Sequence, residues 1–139
     1  MTKKILVIED DPAISRLVEY SLRHEGYEVI TSTNGLEGIR KAQREAPDLI
    51  ILDVMLPGMD GFEICHRLRC EPDTAQLLIL MFSAKAQEID KNTGLKLGAD
   101  DYLPKPAAPA EIVSRVEKLL ANKKSITTVE EKVSGQRYK

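Results

Sequence analysis

Cysteine occurs only twice in the 139 residues, and Cys65 and Cys70 are too few and too close together for a disulfide framework. Eight glycines and seven prolines are too few for a low-complexity chain. Aromatic residues make up 4% of the sequence, so its 42% of hydrophobic residues are mostly aliphatic. A basic excess is also missing: 20 Lys and Arg stand against 22 Asp and Glu, a net charge of −2. That balance argues against nucleic-acid binding by phosphate neutralisation and against a polybasic membrane anchor. The longest apolar run, Leu77–Phe82, is far too short to span a bilayer. Met1–Lys4 leads into only four apolar residues before Glu9, too few for the apolar stretch of a signal peptide. The expectation is a soluble, cytoplasmic protein.

What the chain does have is the length of one compact domain, enough to fold without disulfide or metal. Its charge is uneven, with +3 over residues 121–139 and −5 over the preceding 120. Continuous aliphatic runs at Ile5–Ile8, Leu49–Leu52 and Leu77–Phe82 lack polar alternation, which predicts parallel strands buried on both faces. Glu28–Thr31 and Asp101–Leu103 are shorter strand candidates. Helical segments lie between these runs. The first has Asp11 as N-cap and Pro12 in its first turn, an apolar stripe of Ile14, Leu17, Val18 and Leu22, and Gly26 at its end. A second follows Asn34-Gly35 with Leu36, Ile39 and Ala42 inward and stops before Pro47. A third starts at Asp60-Gly61 and buries Phe62, Cys65 and Leu68; a fourth spans Gln87–Leu97 and ends at Gly98. The last opens at Pro109 and carries Ile112, Val113, Val116, Leu119 and Leu120. Five strands alternating with five helices predict one α/β domain over residues 1–121 with a parallel sheet. Residues 122–139 read as a C-terminal tail or linker with too little apolar content for a core.

In an open α/β sheet, ligands bind beyond the carboxyl ends of the strands. Glu9-Asp10-Asp11 follow the first strand, Asp53 the third, Ser83-Ala84 the fourth and Lys105-Pro106 the fifth. Two carboxylates about 4 Å apart repel by about 4 kcal/mol at an effective dielectric of about 20, so a fold gathers them only for a use. A small set of oxygen ligands suits Mg²⁺, which shares its remaining positions with water and phosphate. Lys105 supplies a compact cation for Asp53 or for a phosphoryl oxygen, and Ser83 a hydrogen bond to that oxygen. These are the parts for phosphoryl transfer onto a carboxylate, with Asp53 as nucleophile.

Taken in order, Glu9-Asp10, Asp53, Met55-Leu56-Pro57-Gly58, Ser83-Ala84 and Lys105-Pro106 resemble the receiver domain of two-component response regulators, a likeness that runs from residue 3 to about 121. The resemblance implies a flavodoxin-like, doubly wound five-stranded parallel sheet of order 2-1-3-4-5 with five helices. It implies that Asp53 accepts phosphate from a sensor histidine kinase or phosphotransfer protein. Asp10, Asp53 and the Met55 backbone carbonyl would then ligate Mg²⁺, and Glu9 would join through water. Asp11 falls outside the family's acidic pair and is left as a helix cap. Tyr102, three residues before Lys105, takes the place of the switch aromatic. Ser83 would move toward the aspartyl phosphate, Tyr102 would turn inward behind it, and the face of the fourth helix, fifth strand and fifth helix would reshape. Lys105-Pro106 resembles the family's cis bond. Ser83 stands for the commoner threonine and Ala107 for the usual phenylalanine. Lys91, Asp101, Glu111 and Arg115 match charged positions that winged-helix regulators pair across a receiver homodimer on activation, whereas Leu97 and Glu117 break another such pair. Met55 and Lys85 occupy positions that modulate phosphate lifetime in the family. The tail is too short for a winged-helix domain. The expectation is therefore a stand-alone receiver, or else a chain cut at a linker, with no nucleic-acid or membrane binding by this domain.

Each feature has a plainer reading. An Asp at a strand end is usually a turn or cap residue, and Asp53 is lifted above that by Glu9, Asp10, Ser83 and Lys105 at other strand ends. Lys91, Asp101, Glu111 and Arg115 are most simply solvated charges. His24 is most simply a surface residue near a helix end. Cys65, His66 and Cys70 on one helical segment cannot close a tetrahedral zinc site, so buried or idle thiols are expected. A phosphatase working through an aspartyl phosphate would carry an acid two residues after the nucleophile, where this chain has Met55. A flavin-binding module would need a hydroxyl- and glycine-rich loop where Glu9-Asp10-Asp11 would repel phosphate. A receiver acting only as an interaction platform lacks support, because no phosphorylation residue is missing. The function expected is thus a signalling switch that catalyses only its own phosphorylation and slow dephosphorylation.

Overall fold

The computed structural model of the chain describes residues 2–84 and 88–122. The aliphatic runs form strands β1 (Lys4–Ile8), β2 (Glu28–Ser32), β3 (Leu49–Leu52), β4 (Leu78–Ser83) and β5 (Asp101–Pro104). Helices α1 (Pro12–His24), α2 (Gly35–Glu45), α3 (Gly61–Cys70) and α4 (Glu88–Lys96) alternate with them, and residues 109–122 form α5. The sheet has the order β2-β1-β3-β4-β5 with every pair parallel. Alternate strand residues feed two cores. Leu6, Ile8, Ile50, Leu52, Ile79 and Met81 pack with the residues of α2 and α3. Ile5, Val7, Leu49, Ile51, Leu80 and Leu103 pack with Val18 and Leu22 of α1 and with Ile112 and Val116 of α5. Burial on both faces explains why these strands lack polar alternation.

Local chemistry sets the helix starts. The Asp11 carboxylate accepts from the Ala13 and Ile14 N–H groups, Asn34 caps α2 through the Glu37 N–H, and Asp60 caps α3 through the Glu63 N–H. Gly26, at φ +94°, follows the end of α1. Lys105-Pro106 is cis.

Two apolar stripes differ from expectation. Leu36 of α2 is 48% exposed, and the buried face of that helix is instead Gly35, Gly38 and Ala42. Gly38 lets α2 lie close against Ile8 of β1 and Gly35 lets it lie close against Ile64 of α3, and Leu36 is left on the outer side. Leu17 of α1 is 44% exposed, because Ser21 shares the inward face with Val18 and Leu22 and donates back to the Leu17 carbonyl at 2.8 Å. In α3, Phe62 is only half-buried, and Ile64 joins Cys65 and Leu68 inside. Val113, Leu119 and Leu120 of α5 are half-buried beside the fully inward Ile112 and Val116. Cys65 is buried but Cys70 is exposed. Gln87, Lys85 and residues 123–139 lie outside the described residues. No helix among the described residues is long and apolar enough to cross a membrane.

Candidate functional site

Strand order reverses between β1 and β3, and their carboxyl ends open a crevice there. Glu9, Asp10 and Asp53 leave the ends of these two central strands. Each offers a carboxylate oxygen, and the three oxygens lie within 4.8 Å of one another. Glu9 and Asp53 are buried at 3% and 5% exposure, while Asp10 is exposed at the rim. The backbone fixes both anchors: the Glu9 N–H donates to Ser32 O at 3.0 Å and the Asp53 N–H to Ile8 O at 3.1 Å.

Lys105 enters from β5. Its Nζ lies 2.5 Å from Glu9 Oε1 and 3.3 Å from Asp53 Oδ2, so the ammonium bridges the two buried acids. The tighter partner is Glu9, where the sequence pointed to Asp53. Phe82 holds the lysine from the side, its ring centroid 5.3 Å from Nζ. The other Asp53 oxygen, Oδ1, accepts from the Met55 N–H at 3.0 Å, which aims the carboxylate and turns the chain so that Met55 is 59% exposed. Burial raises the Glu9 pKa above the ordinary carboxylate range; hydrogen bonds from Lys105 and the Asp11 N–H pull it back, and Asp53 pushes it up again. Asp11 is the N-cap of α1, as expected, and its N–H donates to Glu9 Oε2 at 3.2 Å.

Ser83 is fully buried at the end of β4, and Tyr102 of β5 is 2% exposed beneath it. The two hydroxyls are hydrogen bonded to each other; burial raises the Tyr102 pKa and this bond offsets part of the rise. Tyr102 thus already occupies the inward position that the family resemblance links to the switched state. Asp101, Glu111 and Arg115 lie apart from the acidic crevice. Arg115 Nη1 contacts Asp101 Oδ2 at 3.0 Å and Arg115 Nη2 contacts Glu111 Oε2 at 3.9 Å, both within the chain, and Lys91 is exposed on α4.

One positioning residue escaped the sequence reading. Gly61 opens α3 with its N–H bonded to Val54 O at 2.8 Å. A Cβ on Gly61 would sit 2.4 Å from Asp53 O and 2.6 Å from Val54 Cα, so only glycine lets α3 start against the loop that carries Asp53. Its one outward sign in the sequence is a glycine directly after a capping aspartate. The site can therefore hold a hard cation on oxygen ligands, with a fixed ammonium beside it.

The family model for the response regulator receiver domain matches residues 5–117. The alkaline phosphatase synthesis transcriptional regulatory protein PhoP of Bacillus subtilis is 50% identical over 120 residues, 86% of this chain and 49% of that protein. The DNA-binding dual master transcriptional regulator RpaA of Synechocystis is 48% identical over 117 residues, 84% of this chain and 48% of that protein. The chain spans about half the length of the curated relatives it matches. Among solved structures, a CheY-like receiver domain protein of Methanospirillum hungatei superposes with a TM-score of 0.84 at 28% identity, covering 90% of this chain and 98% of that one. The receiver domain of a Pseudomonas aeruginosa sensor histidine kinase, with a magnesium ion coordinated in its active-site cleft, gives 0.80 at 30% identity, covering 87% and 99%.

Proposed function

The chain belongs to the response regulator receiver domain family of two-component systems, and on that premise we propose that it is a phosphorelay switch whose phosphoacceptor is Asp53. The observation that carries this reading is the crevice itself, three carboxylates converging beside one bridging ammonium. Asp53 attacks the phosphorus of a phosphohistidine on a sensor histidine kinase or phosphotransfer protein. A P–O bond forms, the P–N bond breaks, and the imidazole leaves with a proton. The all-oxygen donor set fits Mg²⁺, which Asp10, Asp53 and the Met55 carbonyl would hold, with Glu9 joining through water. Bound there, such an ion would neutralise charge gathering on the transferred group. Lys105 then exchanges part of its hold on Glu9 and Asp53 for a phosphoryl oxygen, and Ser83 donates to another.

A phosphoryl group adds about −1.5 to −2 charge at a site where Ser83 and Tyr102 are already bonded to each other. Drawing the Ser83 hydroxyl toward phosphate redistributes that bond, and α4, β5 and α5 carry the change to an output domain, a partner or a homodimer through Lys91, Asp101, Glu111 and Arg115. Residues 1–121 form the receiver unit and 122–139 a tail or linker, and the protein works in the cytoplasm. The names of the relatives support transcription control as the output, with DNA contacted outside this domain. Rapid turnover of phosphomonoesters is disfavoured, since Met55 offers no general acid.

Intact mass after incubation with a small acyl phosphate and Mg²⁺ tests the switch. One added phosphoryl group, labile to base and absent in Asp53→Asn, is expected. The same addition in Asp53→Asn, or no addition when Mg²⁺ binding is demonstrated and the kinase is supplied, would overturn the assignment.

A further inference from the structure

His66 and Cys70 stand one turn apart on the exposed side of α3, away from the acidic crevice, with Cys70 Sγ 3.7 Å from His66 Nε2. We propose that this pair is the protein half of an open site for a borderline divalent transition metal, with Zn²⁺ as its type, completed by water or by the same pair of a second copy. The first ground is ligand chemistry: thiolate and imidazole together suit Zn²⁺ and disfavour Mg²⁺. The second is spacing. Zn–S and Zn–N bonds of about 2.3 and about 2.0–2.1 Å at a tetrahedral angle place the two donor atoms about 3.6 Å apart. The observed separation already matches that bite, so the metal replaces the thiol proton without moving the helix.

The surroundings favour a cation as well. Both ligands lie in the final turns of α3, where the helix dipole presents its negative end. The neighbouring positive charges are already committed, Arg67 to Glu63 at 2.9 Å and Arg69 to Asp100 at 2.8 Å. Space is available: the pair borders a groove of about 490 Å³ between α2 and α3, walled by Leu36, Ile39, Gln43 and Glu71. Cys65 cannot substitute. It is fully buried, its thiol is pushed up to about 11 by desolvation, and its sulfur contacts Leu97 O at 3.6 Å. The three residues therefore still cannot close a tetrahedral site on one helix, and an open two-ligand site is what the geometry allows.

Co²⁺ titration of the reduced full chain, with excess Mg²⁺ occupying the acidic crevice, reads the site through thiolate-to-cobalt charge-transfer absorption. Mg²⁺ and carboxylates give no such band. A saturable band is expected, abolished in Cys70→Ser and shifted to at least about tenfold higher Co²⁺ in His66→Gln. Zn²⁺ should displace the cobalt at lower concentration. Both side chains are exposed, so these variants keep the fold, which circular dichroism checks. One metal per chain would mean that water completes the site; one per two chains would mean that a second copy does. Absence of the band at millimolar Co²⁺, or a band unchanged in His66→Gln, would overturn the proposal.

Discussion

Helices α3 and α4 precede and follow β4, yet they are built in opposite ways. α3 is capped by Asp60, begins with a glycine against the Asp53 carbonyl, and buries Ile64, Cys65 and Leu68 completely. Its far end is tied by Arg69, which donates to Gly98 O, Ala75 O and Leu77 O and pairs with Asp100. α4 includes Asp90, Asn92, Thr93 and Gly94, residues that are weak helix formers, and Leu95 is 40% exposed. The difference separates two jobs. On the function proposed above, the acceptor Asp53 must not move, and α3 packs against the loop that carries it. On the same reading a readout must move for a small input, and α4 is built from weaker helix formers where it rests near Tyr102.

The comparison breaks most directly at the two leucines. Leu68→Ala removes a fully buried side chain and should cost about 2–5 kcal/mol, whereas Leu95→Ala on α4 should stay within about 0.5 kcal/mol. Urea unfolding of both variants measures this. Similar losses at both sites would show α4 to be as firmly anchored as α3.

Gly61 sharpens the same contrast at the acceptor loop. Its missing Cβ faces the Asp53–Val54 backbone, and backbone cannot yield as a side-chain tip does. Gly61→Ala should cost about 1–3 kcal/mol and slow phosphorylation by displacing Asp53. Stopped-flow phosphorylation with an acyl phosphate, alongside the unfolding midpoint, separates the two effects. An unchanged rate in a destabilised protein would mean that the loop holds its geometry without help from α3.

Much of this architecture was legible in the sequence because both of its main signals are local. A buried parallel strand writes itself as an aliphatic run, and the residue just past a run names its contribution to the crevice, as with Glu9, Asp53 and Lys105. Pairing choices were not legible. A lysine stem reaches several acids, and nothing in the residue order says that Lys105 approaches Glu9 more closely than Asp53. The α2 stripe differs for another reason: the inward positions are Gly38, close against Ile8 of β1, and Gly35, close against Ile64 of α3, which carry no apolar signal, and Leu36 is left outside. The inward Tyr102 was legible as a position but not as an orientation, which depends on Ser83 above it and on α4 beside it.

The finest test of the contrast is Gly94. An alanine in mid-helix is favoured over glycine by about 1 kcal/mol, so the substitution should firm up α4 if it has room. The added methyl would stand 2.7 Å from Met81 Sδ and 3.3 Å from the Tyr102 ring edge, with Phe62 at 3.5 Å. Met81 is flexible but fully buried, and the Tyr102 hydroxyl is hydrogen bonded to Ser83 while its ring packs against α4. The two terms oppose and are of similar size, so Gly94→Ala should change stability by less than about 1 kcal/mol, on the destabilising side. Its signature should instead appear in the switch: shifted NMR resonances for the Tyr102 ring in the unphosphorylated protein, and little change at Ile64 or Leu68. A gain of the full helix-propensity increment with Tyr102 undisturbed would mean that α4 has slack against Tyr102, and that the two do not move as a coupled pair.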